Sequence, residues 1–427
     1  MFKTLRNAFS LPELRKKMLY VIFIVVLYRI GSAIPIPYIE ASVLDMASQY
    51  GSGSILQYMS ILSGTAFSRA TLFALSISPY INASIIIQLL CTAIPALENM
   101  AKDENGRNKI NQITRYLTVG LGLITAYGYY MMLRNYGFIR NKTVFAAIVI
   151  IACYTAGSCL IMWLGEKINE NGIGNGISII LFVNIVSSGP QIISGLAAAF
   201  TSGVGGIITA IVTIIIAIFM VVFIIFMTNS ERRLPVQYAK RVVGRKMYGG
   251  QSSTLPLKLN MAGVMPIIFA NSILALPSTI AMFFPTPEQG TFWYGFQRLF
   301  SYTSWLYVVL FLVMIVFFSY FYIAISFNPV EVANNLKKNG GFIPGIRPGK
   351  PTADYITKVL NKVTLMGAFF LGIIAVLPLA ANIISGNRIS GVAFAGTSII
   401  IVVGVALETA REIEAQMTMR HYKGFLE

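Results

Sequence analysis

IITAIVTIIIAIFMVVFIIFM, residues 207–227, holds no charge, no proline and no glycine. A stretch of about 20 apolar residues covers the roughly 30 Å hydrocarbon core of a bilayer. Inside lipid the backbone must satisfy its own hydrogen bonds, which leaves helices or closed barrels. A barrel strand alternates apolar with polar residues. This run is continuous, so it is a helix.

Outward from it, the whole chain follows the same rule. Of 427 residues, 56% are hydrophobic and 11% charged; the mean hydropathy is +0.71. Soluble proteins carry about a quarter charged residues. Ten spans are expected, near 19–35, 74–94, 114–133, 144–164, 177–198, 207–228, 261–284, 304–326, 364–381 and 394–410. Ten divides into two sets of five, 19–200 and 201–412. An odd number per set gives the sets opposite orientations, as in inverted repeats that build a pathway at their interface. Residues 1–18 are basic, with a small apolar face of Leu5, Phe9, Leu11 and Leu14. That pattern predicts a short amphipathic helix on the membrane surface.

The net charge of +17 is mainly a topology signal. With the N-terminus in the cytoplasm, all Lys and Arg residues face the cytoplasm except Arg29, Arg69, Arg134, Arg140, Lys142, Arg298 and Arg388. The positive-inside rule therefore sets both termini, including the 413–427 tail, in the cytoplasm. Two cytoplasmic loops, 229–260 and 327–362, carry more basic residues than orientation needs. Their tips read RVVGRKMYGG and NGGFIPGIRPGK. Such loops are solvated turns near anionic lipid or docking sites for a negatively charged partner.

Equally informative is what the spans lack. Ion-coupled transporters need ionisable groups at membrane depth. Here Arg29 lies near the outer end of the first span, and Glu408 and Arg411 near the cytoplasmic end of the last. No GxSxG, HExxH or P-loop motif occurs. The single histidine, His421, lies outside the spans, and Cys91, Cys153 and Cys159 lack metal-ligand spacing. No metal, no cofactor and no catalytic site is expected. A secondary transporter or lipid flippase is the competing reading, and an intramembrane enzyme a further one; each would need groups not found here. A passive gated pore, closed by a ring of aliphatic side chains, fits better.

Five stretches resemble the SecY family. They are SRATLFALSISPYINASIIIQLL (68–90), WLGEKINENGIGNGISII (163–180), YAKRVVGRKMYGGQSSTLPLKLNMAGVMPIIFANSI (238–273), FNPVEVANNLKKNGGFIPGIRPGKPTADYI (327–356) and GTSIIIVV (396–403). The resemblance runs from the second span to the last. It implies an all-α polytopic membrane protein: ten transmembrane helices in two inverted five-helix halves around an hourglass pore. That pore would conduct unfolded polypeptides across the bacterial cytoplasmic membrane and release transmembrane segments sideways into lipid. Implied partners are the small membrane subunits SecE and SecG, the SecA ATPase, the ribosome, the secretory polypeptide and membrane lipid.

The resemblance also implies residue roles. A pore ring falls on Ile81, Ile85, Ile177, Leu181, Ile268 and Ile401; Leu181 stands where the family usually has Ile. A plug falls at about 59–72, with Met59, Ile61, Leu62, Gly64, Phe67 and Arg69. Its glycines and lone arginine predict few buried contacts and easy departure. A lateral gate falls near Ile86, Gln88, Asn271 and Leu276, where the two amides would hydrogen-bond across the seam or within their own helices. Arg245, Lys246 and Arg347 would dock the ribosome or SecA. The GIGNGIS stretch, 172–178, predicts a tight turn and close helix approach.

Overall fold

The computed structural model describes residues 8–39, 65–201, 203–238, 241–243, 246–248, 252–284, 291–300, 304–384 and 390–423. Ten principal helices match the ten expected spans in order: α1 (Pro12–Gly31), α2 (Ser78–Ala93), α3 (Glu104–Asn135), α4 (Val144–Asn171), α5 (Gly176–Ser187), α6 (Val204–Asn229), α7 (Met265–Leu274), α8 (Trp305–Ser326), α9 (Lys350–Ile384) and α10 (Ser390–Lys423). The chain is a polytopic helical membrane protein.

Five of these, α3, α4, α6, α8 and α9, are each long and apolar enough to cross a bilayer alone. The others are shorter, broken or extended by polar turns. α5 breaks at Ser188 and resumes as Gly189–Thr201. α7 is continued by Leu276–Ala281. α2 is followed, after a 107° bend, by the short helix Pro95–Lys102. Local chemistry sets several starts. Pro79 occupies the first turn of α2, where a missing N–H costs nothing. The side chains of Thr143, Asn175 and Ser304 cap α4, α5 and α8 by accepting from backbone N–H groups.

The two halves share four helix pairings, although the broad contact of α6 with α10 has no equal in the first half. In the first, α2 packs on α3, α3 on α4, α4 on α5 and α1 on α4. Adding five to every label gives pairs that also pack in the second: α7 on α8, α8 on α9, α9 on α10 and α6 on α9. Between the halves, α2 meets α7 and α5 meets α10. The repeat is thus plain in the contacts though weak in the sequence.

A single apolar core draws on every principal helix except α3. A second core joins α3 and α4 to residues 67–75, Ile36 and Ile139. Among the described residues, every buried polar side chain other than tyrosine is Ser, Thr or Asn; no Asp, Glu, Lys, Arg or His is buried. Outward faces are apolar too: on α6, Ile208, Ile215, Phe219, Val222 and Phe226 are exposed, which suits contact with lipid rather than water.

Two findings differ from the expectations. Part of the N-terminal apolar face is packed on protein, while Phe9 is exposed. Leu14 is buried in a cluster with Ala8, Ile173 and Ile413, against which Leu11 and Met417 pack; Leu5 lies outside the described residues. The tail it meets is the unbroken end of α10. Second, the two basic loops are a folded unit. Strand β1 (Glu231–Tyr238) pairs antiparallel with β4 (Ser252–Lys258) and with β5 (Gly341–Phe342). Between β1 and β4, β2 (Arg241–Val243) pairs with β3 (Lys246–Tyr248). Leu234, Val236, Leu257, Ile343 and Ile356 form a core of their own beneath this sheet.

Candidate functional site: an apolar waist between two halves

The six expected ring residues come from four helices. Ile81 and Ile85 lie on α2, Ile177 and Leu181 on α5, Ile268 on α7 and Ile401 on α10. Each pair is spaced i, i+4 and shares a helix face. All six enter one cluster: five are its buried members and Ile177 packs against it. Exposure of the five buried members runs from 2% at Ile401 to 6% at Ile81, while Ile177 is half-buried. α2 and α7, and α5 and α10, are equivalent pairs under the five-helix repeat, so the two halves contribute matched positions.

Several devices hold the ring-bearing helices in place. A Cβ on Gly176 would lie 2.0 Å from the Gly165 carbonyl oxygen, so only glycine lets α5 start this close to α4. Gly174, at φ +88°, makes the turn before it. The Gly176 N–H donates to Asn169 Oδ1 at 2.7 Å. The expected tight turn and close approach at GIGNGIS are both present. Nearby, Arg115 of α3 pairs with Glu166 of α4 at 2.8 Å.

On the side where the sheet joins the helices, a cavity of about 220 Å³ opens among α5, α6, α7, α9 and α10; Asn175, Lys258, Asn260, Glu408 and Arg411 are among its lining. Arg411 Nη2 donates to the Thr228 carbonyl (2.7 Å) and to Asn229 Oδ1 (2.6 Å), tying α10 to the end of α6. Elsewhere an almost wholly apolar groove of about 390 Å³ runs between α1, α5 and α10, bordered by Val21, Val25, Phe182 and Val405.

The SecY family model matches residues 71–410. The chain belongs to the SecY family. It is 42% identical to the protein translocase subunit SecY of Streptomyces galbus, with all of both chains covered. It is 40% identical to that of Mycobacterium tuberculosis over 97% of each. Its fold is similar to a solved protein-conducting channel (TM-score 0.65, 19% identity, 93% of this chain and 92% of that one). It is also similar to Sec61 in a canine ribosome–channel complex from the endoplasmic reticulum (TM-score 0.60, 18% identity, the same coverage).

The expected plug lies in the segment before α2. Of the expected plug residues, Met59, Ile61, Leu62 and Gly64 lie outside the described residues. Phe67 is buried and Arg69 exposed. The expectation of few buried contacts fails from Ala66 onward. Ala66, Phe67, Ala70 and Thr71 are all buried. Tyr129 Oη donates to the Phe67 carbonyl at 2.7 Å, and Tyr154 Oη to the Ala70 carbonyl at 3.3 Å. The Leu72 N–H donates to the Ile34 carbonyl at 3.0 Å. Gly157 of α4 leaves room for the Leu72 carbonyl, which a Cβ there would meet at 2.1 Å. Two tyrosines far off in sequence supply partners that local composition does not reveal.

At the expected lateral gate, α2 and α7 are neighbours. Gln88 does not reach across; its Nε2 donates to Ser84 Oγ, one turn back on α2, at 3.1 Å. Asn271 is buried on α7. Ile86 and Leu276 are exposed. Of the expected docking residues, Arg347 is exposed at a turn flanked by Gly345 (φ +81°) and Gly349 (φ +103°). Lys246 lies in β3. Arg245 lies outside the described residues.

Sequence reasoning overlooked the sheet and a polar network at Tyr28, Ser76 and Asn184. For the sheet, alternation was the available signal: Leu234 and Val236, then Leu255 and Leu257, inside otherwise polar loops. For the network, Asn184 is a lone amide in an apolar run, as Gln88 and Asn271 are.

Proposed function

We propose that this chain is the pore-forming subunit of a protein-export translocon. It conducts unfolded polypeptides through the waist between its halves and releases apolar segments sideways between α2 and α7. One observation carries this reading: aliphatic side chains from both halves meet in one buried, uncharged cluster. Such a ring excludes water and ions at rest, yet has no fixed charge to hold a passing chain. The lack of buried ionisable groups among the described residues speaks against an ion-coupled transporter.

The chain itself performs no catalysis in this reading. Force comes from partners, SecA pushing or a ribosome feeding, that dock on the two basic loops through Arg245, Lys246 and Arg347. Basic Arg-rich tips suit polyanionic RNA and carboxylates. SecE and SecG complete the membrane complex, and the groove between α1, α5 and α10 offers a helix of such a subunit an apolar seat. The membrane is the bacterial cytoplasmic one, with both termini in the cytoplasm. Residues 59–72 plug the waist from outside, rooted through the backbone bonds that Phe67 and Ala70 receive.

The test is crosslinking. Single cysteines at Ile81, Ile85, Leu181 and Ile268 are expected to capture a stalled secretory chain, whereas a cysteine at lipid-facing Phe226 is not. Capture at Phe226 alone would refute the pathway.

A further inference from the structure

The seal of the waist depends on how α2 and α5 stand relative to each other, because these two helices carry four of its six residues. A small buried network joins them. Tyr28 Oη, on α1, donates to Asn184 Oδ1 on α5. Asn184 Nδ2 donates in turn to Ser76 Oγ at 2.8 Å. Ser76 lies two residues before α2 begins. Exposure is 1% at Tyr28, 2% at Asn184 and 1% at Ser76, so water does not compete for these bonds.

Two details single this network out. Asn184 follows Ile177 and Leu181 at i+7 and i+3, on the face of α5 that carries the ring. Ser76 has φ +52°, a left-handed conformation that glycine adopts without cost and serine does not. Strain retained at a non-glycine position points to a role for the side chain, and the hydroxyl's role here is to receive Asn184. Phe73 stacks on Tyr28 with ring centroids 5.3 Å apart, which fixes the third member. The chain just before this turn is itself held, through Tyr129 and Tyr154.

We propose that Tyr28, Asn184 and Ser76 form a polar clasp that holds α2 and α5 at their resting separation and thereby sets how tightly the aliphatic ring is shut. The clasp rests on the reading of that ring as the channel's seal. Its three members are positioning residues. They act through Ile81, Ile85, Ile177 and Leu181.

The experiment uses the full chain with its membrane partners, reconstituted in liposomes. It reads resting ion conductance beside the melting temperature. The variants are Ser76→Gly, Asn184→Leu, their double, and Ile268→Ser as the test of the ring. Ser76→Gly removes the hydroxyl but relieves the backbone, so it keeps the fold. It is expected to leak several-fold more than the parent at an unchanged melting temperature. The double is expected to leak no more than the leakier single, because both break one link. If Ile268→Ser leaks while Ser76→Gly and Asn184→Leu stay tight, the clasp is wrong and the ring stands. If leak appears only where the melting temperature also falls, the network is merely structural and the clasp is likewise wrong. If no variant leaks, Ile268→Ser included, the ring reading fails and takes the clasp with it.

Discussion

The Gly165 carbonyl oxygen on α4 occupies the place that a side chain on Gly176 would need, 2.0 Å from where its Cβ would stand. Backbone cannot yield as the end of a flexible side chain can. Gly176→Ala should therefore push α5 away from α4, at a cost of about 1–3 kcal/mol, as overpacking typically does. Gly120 on α3 has nothing within 4 Å of its Cβ position, so Gly120→Ala should be tolerated. Melting of the two purified variants in detergent checks this; equal stabilities would contradict it.

Tyr129→Phe should loosen the root of the plug without disturbing the helices. It removes the donor to the Phe67 carbonyl, worth about 1 kcal/mol, and keeps the ring that packs 4.7 Å from Phe67. Hydrogen exchange at the amides of residues 66–72 is expected to quicken while α8 and α9 stay protected. Unchanged exchange there would show that the tyrosine does not anchor the segment.

The two amides of the seam should behave differently. Gln88 is satisfied within α2 by Ser84, so Gln88→Leu is expected to leave ion leak and signal-dependent opening as they are. Asn271 is buried on α7, the helix that meets α2, and Asn271→Leu is expected to change the leak. A phenotype in Gln88→Leu matching that of Asn271→Leu would mean the glutamine turns across the seam during gating.

Much of this was legible in the sequence, and the reasons are physical. A membrane span writes itself as a continuous apolar run, so the ten helices and their order could be read directly. Residues at i, i+4, such as Ile81 and Ile85, share a helix face by their spacing alone. Long-range partnerships left no such trace. Nothing near Phe67 and Ala70 indicates that Tyr129 will reach the carbonyl of the first and Tyr154 that of the second, so the segment looked looser than it is. Charge counting made the 229–260 and 327–362 loops look like solvated turns or docking sites and hid the alternation of Leu234 and Val236 that builds the sheet. The likeness of the halves sits in which helices touch, not in which residues they use.

Arg347→Glu should abolish export while the chain still inserts and assembles. Arg347 is exposed, and the bond it receives from Thr352 Oγ1, at 2.8 Å, is to its carbonyl. Reversal should therefore cost no folding energy while repelling an anionic partner. Export assays on membranes with normal levels of the variant decide it; normal export would remove Arg347 from the docking surface.

α9 begins three residues after Arg347 and continues without interruption to Ile384. At 1.5 Å per residue it is a rod about 50 Å long. Its first turns, through Ile356, belong to the small core under the sheet, and its middle turns, through Leu371 and Ile374, line the cavity on the sheet side of the bundle. A push on the turn at Arg347 would therefore travel along α9 to the cavity that α5, α6, α7 and α10 also line, rather than being absorbed in a loose loop.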